Sequence, residues 1–204
     1  TTDRLNIPQI DYTDGYSSIL IEPQRTNLFQ RSEEFDNAIW NRSDATVSAN
    51  TATSPDGLLT SDKLIPNSGV VVARVLNNGL SVVSGNYTIS VFVKAIDFQF
   101  FFFREDINNT LENTIFNLTS KTIPTLGAGR TANIKTYNNG WLRLSISALS
   151  PDTSISNIGF GFSSSGTGIQ ANGDGIKYGL IWGAQLEQGS YATSYIPTVA
   201  STVT

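Results

Sequence analysis

The sequence predicts an all-β domain, an antiparallel sandwich or barrel of about ten short strands. Short segments alternate between apolar and polar side chains, and turn residues such as Asn-Gly and Asp-Gly separate them. No long segment shows the 3.6-residue period of a helix. Because many all-β proteins of about 200 residues fold as one unit, we expect a single domain spanning 1–204.

In the N-terminal half, a polar arm (1–15) precedes a connection (25–40) that we expect to be irregular and buried. Trp40, at the end of this connection, is predicted to seed the sandwich core. Branched and polar residues then alternate in short runs, as is typical of strands. The strands predicted in this half are 9–12, 17–21, 46–51, 62–65, 70–76 and 86–95.

The C-terminal half continues the pattern, with strands predicted at 98–103, 114–118, 132–136, 141–148, 158–163 and 178–187. In the last strand, the two-residue period of a strand places a set of apolar residues on one face. They are Tyr178, Leu180, Trp182, Ala184 and Leu186. Glycines on the opposite face leave room for a neighbouring backbone or a packed ring. The tail (188–204) contains Tyr191 and Tyr195 and is expected to fold back onto the body.

The composition excludes several classes of function. The formal net charge of −4 argues against a general nucleic-acid binder, because such a protein needs a basic face to release counterions. There is no His and no Cys, which excludes Ser–His–Asp and Cys–His catalysis and removes common ligands of transition metals. From the net charge we expect no nucleic acid as a partner. No segment is apolar over the length that spans a bilayer, so we expect no membrane insertion.

Three blocks of the sequence resemble a known family. They are ILIEPQRTNLFQRSEEFDNAIW (19–40), YNNGWLRLSISA (137–148) and IWGAQLEQGSYATSYIPT (181–198). Together they are similar to a module of bacteriophage and prophage tail-fibre and virion-associated proteins. The resemblance implies the jelly-roll β-sandwich of carbohydrate-binding modules and a location on the virion. It also implies contact with other virion proteins, attachment to host cell-surface polysaccharide, and a homo-oligomer, expected to be a trimer.

A set of aromatic and polar residues in and near these blocks is expected to hold the structure together. They are Arg25, Asn27, Trp40, Trp182 and Glu187. We expect Arg25 to pair with a carboxylate and Asn27 to satisfy the amides of a turn. Such a buried polar network would tie the N-terminal connection to the last strand.

The residues predicted to bind a glycan lie on strand faces turned away from the core. Leu142 and Leu144 mark the core face of their strand, so Trp141 and its neighbour Arg143 lie on the opposite face. A sugar site joins an aromatic ring to planar hydrogen-bonding groups. The candidates are Trp141, Arg143, Lys94, Phe92 and Arg74. The alternative is that Trp141 is buried under a loop and Arg143 is an ordinary surface cation.

Carboxylates are the remaining candidates for catalysis or for binding a metal ion. Glycoside hydrolysis needs two carboxylates roughly 5–10 Å apart. Because most Asp and Glu side chains are solvated or structural, we expect that this chain is not an enzyme. The carboxylates considered are Glu22, Glu33, Glu34, Glu105, Asp106 and Glu187. Oxygen ligands suited to a structural Ca²⁺ occur at Asn172 with Asp174 and at Glu105 with Asp106, although these residue types also favour turns. No other cofactor is expected.

The sequence thus predicts a non-catalytic virion module, part of a tail fibre or spike, that attaches to a glycan of the host surface. Two alternatives stay open. One is a purely structural module that assembles or decorates the particle and binds no sugar. The other is a carbohydrate-binding module of a secreted bacterial enzyme.

Overall fold

A computed structural model describes residues 10–11, 18–19, 22–151 and 153–204. In chain order its strands are β1 (Ile10–Asp11), β2 (Ser18–Ile19), β3 (Asn41–Ser43), β4 (Ala45–Ala52), β5 (Ser61–Pro66), β6 (Gly69–Val71), β7 (Arg74–Asn77), β8 (Leu80–Ser81), β9 (Gly85–Lys94), β10 (Phe100–Glu105), β11 (Glu112–Asn117), β12 (Thr122–Thr125), β13 (Thr131–Thr136), β14 (Leu142–Ser150), β15 (Ser154–Ile155), β16 (Ile158–Ser163), β17 (Ala171–Gly173) and β18 (Gly179–Gln188). A 3-10 turn occupies Asn138–Gly140. Among the described residues, no helix has the length and apolar character needed to cross a membrane.

Two six-stranded antiparallel sheets make up the sandwich. Sheet 1 has the order β12-β11-β10-β16-β7-β3, and sheet 2 has the order β13-β14-β9-β18-β5-β4. Within them, β5, β18, β9 and β14 lie side by side in one sheet, and β7, β16, β10 and β11 in the other. The chain alternates between the sheets in the order of two Greek keys, which is the jelly roll. The predicted jelly-roll β-sandwich is therefore confirmed.

The hydrophobic core lies between the two sheets. Sheet 1 supplies mainly aromatic rings, including Phe101, Phe103 and Phe160, whereas sheet 2 supplies branched side chains from β9 and β14. Trp40 is fully buried, and its ring lies 5.0 Å from Phe29 and 5.8 Å from Phe160 between centroids. The N-terminal connection thus adds its own aromatic layer to the core.

The last strand, β18, does not keep one face throughout. Between Trp182 and Gln185 it holds one residue more than β9 opposite, a β-bulge centred on Gly183 with φ of 61°. The bulge moves the alternation by one position, so Leu180 and Trp182 face outward while Ala184 and Leu186 lie in the core. The prediction that these residues share one face is therefore wrong.

The glycines of β18 make room for aromatic rings, as expected. A Cβ on Gly179 would lie 2.1 Å from Cζ of Phe162, and a Cβ on Gly183 would lie 3.2 Å from the ring of Tyr195. Gly179 therefore requires the absence of a side chain, and at Gly183 the close ring and the positive φ both disfavour one.

Other strand predictions differ from the structure at the sandwich ends. The segment predicted as one strand, 70–76, is two strands: β6 pairs with β17, and β7 pairs with β16 and β3. In the N-terminal arm, Ile10–Asp11 pairs with Ser18–Ile19, within the predicted strands 9–12 and 17–21. The rest of the arm (1–15) lies outside the described residues.

The polar network expected between the N-terminal connection and the last strand is present. Asn27 donates to the carbonyl oxygens of Ala184 and Ile196, at 3.1 and 2.9 Å. Its Oδ1 accepts the amides of Phe29 and Leu186, both at 3.1 Å. One buried side chain therefore forms hydrogen bonds with backbone groups of the connection, the bulged strand and the tail.

Glu187 extends this network to the tail. Its carboxylate accepts the Thr193 amide at 3.0 Å and the Thr193 hydroxyl at 2.6 Å. Arg25 is its cationic partner, with Nε at 3.8 Å from Oε2. The tail continues back to the connection, where the Thr198 hydroxyl donates to the Phe29 carbonyl at 2.7 Å. The tail is thereby held against the outer face of sheet 2.

Candidate functional site

An open cleft of about 790 Å³ lies on the outer face of sheet 2. Its floor includes Arg143, Ser145 and Ser147 of β14. One wall is formed by outward side chains of β13, and the opposite wall by the tail around 190–195. The turn at 55–56 contributes a further edge. A cavity of this size is within the range of sites that bind small molecules or sugars.

A second aromatic cluster, separate from the core, forms the base beneath this cleft. It consists of Phe92, Trp141, Leu180 and Trp182, with Tyr137 and Tyr195 packed against it. The Phe92 ring lies 5.0 Å from Tyr137 and 5.2 Å from Trp182 between centroids. Tyr195 covers Trp182 at 4.7 Å and bonds Ser32 through its hydroxyl at 2.6 Å. The tail is therefore anchored from both sides, which keeps the cleft wall in one position.

Arg143 is 6% exposed and lies at the cleft floor. Its Nε and Nη2 donate to the Ser90 hydroxyl at 3.2 and 2.8 Å, and its Nη1 donates to the Thr193 carbonyl. The guanidinium also lies over the Phe92 ring at 5.2 Å, and burial lowers its pKa. The interpretation of Arg143 as an ordinary surface cation is wrong. Its hydrogen bonds hold the tail to the sheet, and a ligand would meet only its edge.

Trp141 is 1% exposed and does not line the cleft. Its indole Nε1 donates to the Thr53 carbonyl at 3.2 Å, and Ala52 packs against the cluster that contains it. The two-residue period placed the ring correctly on the outer face, but a loop from a distant part of the chain covers that face. The prediction of an exposed sugar platform at Trp141 is therefore wrong, and burial under a loop is correct.

The remaining predicted binding residues are dispersed. Phe92 lines the cleft but is 3% exposed, so little of its ring can reach a ligand. Lys94 pairs with Leu180 near the 3-10 turn and lies outside the cleft lining. Arg74 belongs to β7 of sheet 1 and does not join the others. Sequence periodicity assigns a face to a side chain but does not assign the strand to a sheet.

The accessible groups of the cleft were not among the predicted residues. Tyr191 is 52% exposed on the tail wall, and the Arg25 guanidinium lies 5.8 Å from its ring centroid. On the other wall, Asn133 and Lys135 are exposed, and Lys135 lies 5.6 Å from the ring of Tyr137. The predicted strand 132–136 already contained the signal, because an inward Ala132 and Ile134 imply an outward Asn133 and Lys135.

The register of β13 and β14 brings these polar groups into rows across the cleft. Lys135 pairs with Arg143, and Asn133 pairs with Ser145. Directly paired side chains on one face of an antiparallel sheet are roughly 5 Å apart. The cleft therefore presents amide, hydroxyl and ammonium groups in adjacent pairs across its two strands.

The calcium candidates already have protein partners. Glu105 is bound by the guanidinium of Arg130, so this carboxylate is neutralised without a metal. Asp106 accepts the amides of Ser156 and Asn157. Asp174 accepts the Ile176 and Lys177 amides, which lower its pKa, while Asn172 is an exposed residue of β17. The described residues contain no group of three or more His, Cys, Asp or Glu that could hold a metal.

The carboxylates considered for catalysis also have donors. Glu22 accepts the Ser194 amide at 2.9 Å, and Glu34 pairs with Arg31 at 2.9 Å. Glu33 accepts the Tyr195 hydroxyl at 3.1 Å, and burial raises the pKa of Glu33. These contacts join Glu22 and Glu33 to the tail and Glu34 to the connection, and Glu22 also lines the cleft.

The chain matches no protein-family model, and no curated protein matches it. Its function has therefore to be inferred from the cleft and from the three sequence blocks.

Proposed function

We propose that this protein is a non-catalytic glycan-binding module of a phage tail fibre or spike, and that the sheet 2 cleft is its binding site. The observation that carries the proposal is the cleft of about 790 Å³, in which accessible tyrosines lie beside polar side chains in register. The cleft is open, so it can accept part of a polysaccharide chain without enclosing its ends.

The chemistry of the lining suits a sugar. Tyr191 and Tyr137 offer ring faces on which pyranose C–H groups can stack. Asn133 and Lys135 are exposed and offer hydrogen-bonding groups for sugar hydroxyls, while the Ser145 hydroxyl lies at the buried floor. The rigid base beneath them reduces the conformational entropy that is lost when a ligand binds.

The virion context rests on the resemblance of the blocks 19–40, 137–148 and 181–198 to phage tail modules. The first and last blocks are joined in the fold through Asn27 and Glu187, which supports their treatment as one unit. On this proposal the partners are host cell-surface polysaccharide and other virion proteins, and the parent protein is a trimer. Light scattering on the domain with its native flanks tests the last point, and a monomer would contradict it.

The cleft is tested by two substitutions measured on an array of bacterial surface glycans. Tyr191→Ala and Asn133→Ala are each expected to weaken binding about tenfold, because loss of a stacking or hydrogen-bonding group costs on the order of 1.4 kcal/mol. Both residues are exposed, so the melting temperature should change little.

Asn86→Ala is the matched control, since Asn86 is exposed on a strand of the same sheet but lies outside the cleft. It is expected to bind as the unsubstituted protein does. Binding that survives both cleft substitutions would remove the site from this face. If the unsubstituted protein bound no glycan on the array, the purely structural alternative would be favoured.

A further inference from the structure

The outer face of sheet 1 carries two arginines for which the described residues supply no carboxylate partner. Arg74 lies on β7, directly before the core residue Val75, and Arg104 lies on β10, directly after the core residue Phe103. Both arginines therefore point away from the core. In the described part of the chain, neither guanidinium forms an ion pair. Nε and Nη1 of Arg74 are buried and have no hydrogen-bond partner within the residues that the structure describes.

The two side chains meet across a glycine. Strand β16 lies between β10 and β7, and Gly159 of this strand pairs with Arg104 on one side and with Leu76 on the other. A Cβ on Gly159 would lie 3.3 Å from Cδ of Arg74, so the Arg74 stem extends over the glycine. Burial lowers the pKa of Arg74, and the charge of Arg104 lowers it further. Because Arg104 pairs with Gly159 and the Arg74 stem crosses the same glycine, the two positive charges are neighbours on this face.

Such an arrangement is unfavourable by itself. Buried donors without acceptors destabilise a fold, and like charges in a poorly solvated place add to the cost. Among the described residues, Arg104 has one acceptor, Asn113 Oδ1 at 3.3 Å, which leaves its other N–H groups free to bind elsewhere. Both side chains are half-buried. A ligand can therefore reach their exposed edges from solvent, whereas Nε and Nη1 of Arg74 are covered by the protein.

We propose that Arg74 and Arg104 form a binding site for an oxyanion. Two guanidinium groups can bind a carboxylate, sulfate or phosphate through paired N–H···O bonds, and one such group would neutralise their repulsion. The source of the anion is an acidic substituent of a polysaccharide or a free inorganic anion. The site lies on the sheet opposite the cleft, so it is independent of the proposed glycan site.

The test measures thermal unfolding of the whole chain at neutral pH in sodium sulfate, sodium phosphate or sodium glucuronate. Sodium chloride at equal ionic strength is the reference. Each variant is scored by the rise of its melting temperature above that reference. Bound anion at about ten times its dissociation constant should raise the melting temperature by about 3–5 °C. Sulfate also stabilises folded proteins by exclusion from their surface, but that part is common to all variants.

Arg74→Gln and Arg104→Gln are expected to lose this specific rise, whereas Lys121→Asn should keep it. Lys121 is exposed with φ of 55°, which Asn tolerates, and its substitution removes the same unit of charge. In chloride, Arg74→Gln should melt at or above the temperature of the unsubstituted protein, because the repulsion is gone. A rise with glucuronate identifies an acidic sugar as the source, and one confined to sulfate or phosphate identifies an inorganic group. Equal rises in all variants would overturn the proposal.

Discussion

Replacing Arg130 by methionine is expected to lower the free energy of unfolding by about 3–5 kcal/mol. Arg130 Nε lies 2.7 Å from Glu105 Oε1 and Nη2 lies 3.0 Å from Oε2, and both side chains are excluded from solvent. The guanidinium also donates to the carbonyl oxygens of Thr110 and Ala128. Methionine would leave a buried carboxylate and these carbonyls without partners. Urea denaturation followed by fluorescence measures the effect.

Two further variants separate charge from packing. Adding Glu105→Gln to the Arg130 variant should recover part of the loss, because a neutral amide can still accept the Ile107 amide that Glu105 accepts at 2.9 Å. Arg31→Met breaks the partly exposed Arg31–Glu34 pair and should cost less than about 1 kcal/mol. A loss below 1 kcal/mol for the Arg130 variant would show that the pair is unimportant.

The fold could be predicted from the sequence because apolar and polar side chains alternate with a two-residue period along its central strands. In β14, Leu142, Leu144 and Ile146 lie in the core, as their alternation indicates. The two-residue period predicts the wrong faces after Gly183, because the glycine that leaves room for a ring also allows a β-bulge. A bulge depends on the pairing of two strands, so one strand's sequence does not reveal it.

The site was accessible only in part, for a related reason. Arg25 and Asn27 could be predicted as a network, because buried polar residues of these types need partners. The burial of Trp141 could not be predicted, since the loop around Thr53 that covers it is distant in sequence. The Glu105–Arg130 pair could not be predicted for the same reason, because its two residues are distant in sequence.

Trp141→Ala is expected to lower the free energy of unfolding by about 3–5 kcal/mol, the cost of removing a large buried ring and leaving a cavity. The ring is 1% exposed, and its indole hydrogen bond to the Thr53 carbonyl would be lost as well. For a chain of 204 residues, this corresponds to a fall in melting temperature of about 10 °C. Thermal unfolding measures that fall.

Glycan binding by the same variant, measured well below its melting temperature, gives the second result. Trp141 lies outside the cleft lining, so binding should stay within about threefold of the unsubstituted protein, a difference of about 0.7 kcal/mol. Trp141→Phe is the matched control, since it keeps most of the buried ring and should lose less stability. Loss of binding at an unchanged melting temperature would place Trp141 in the glycan site. Its burial under the Thr53 loop would then have to be reversed when the ligand binds.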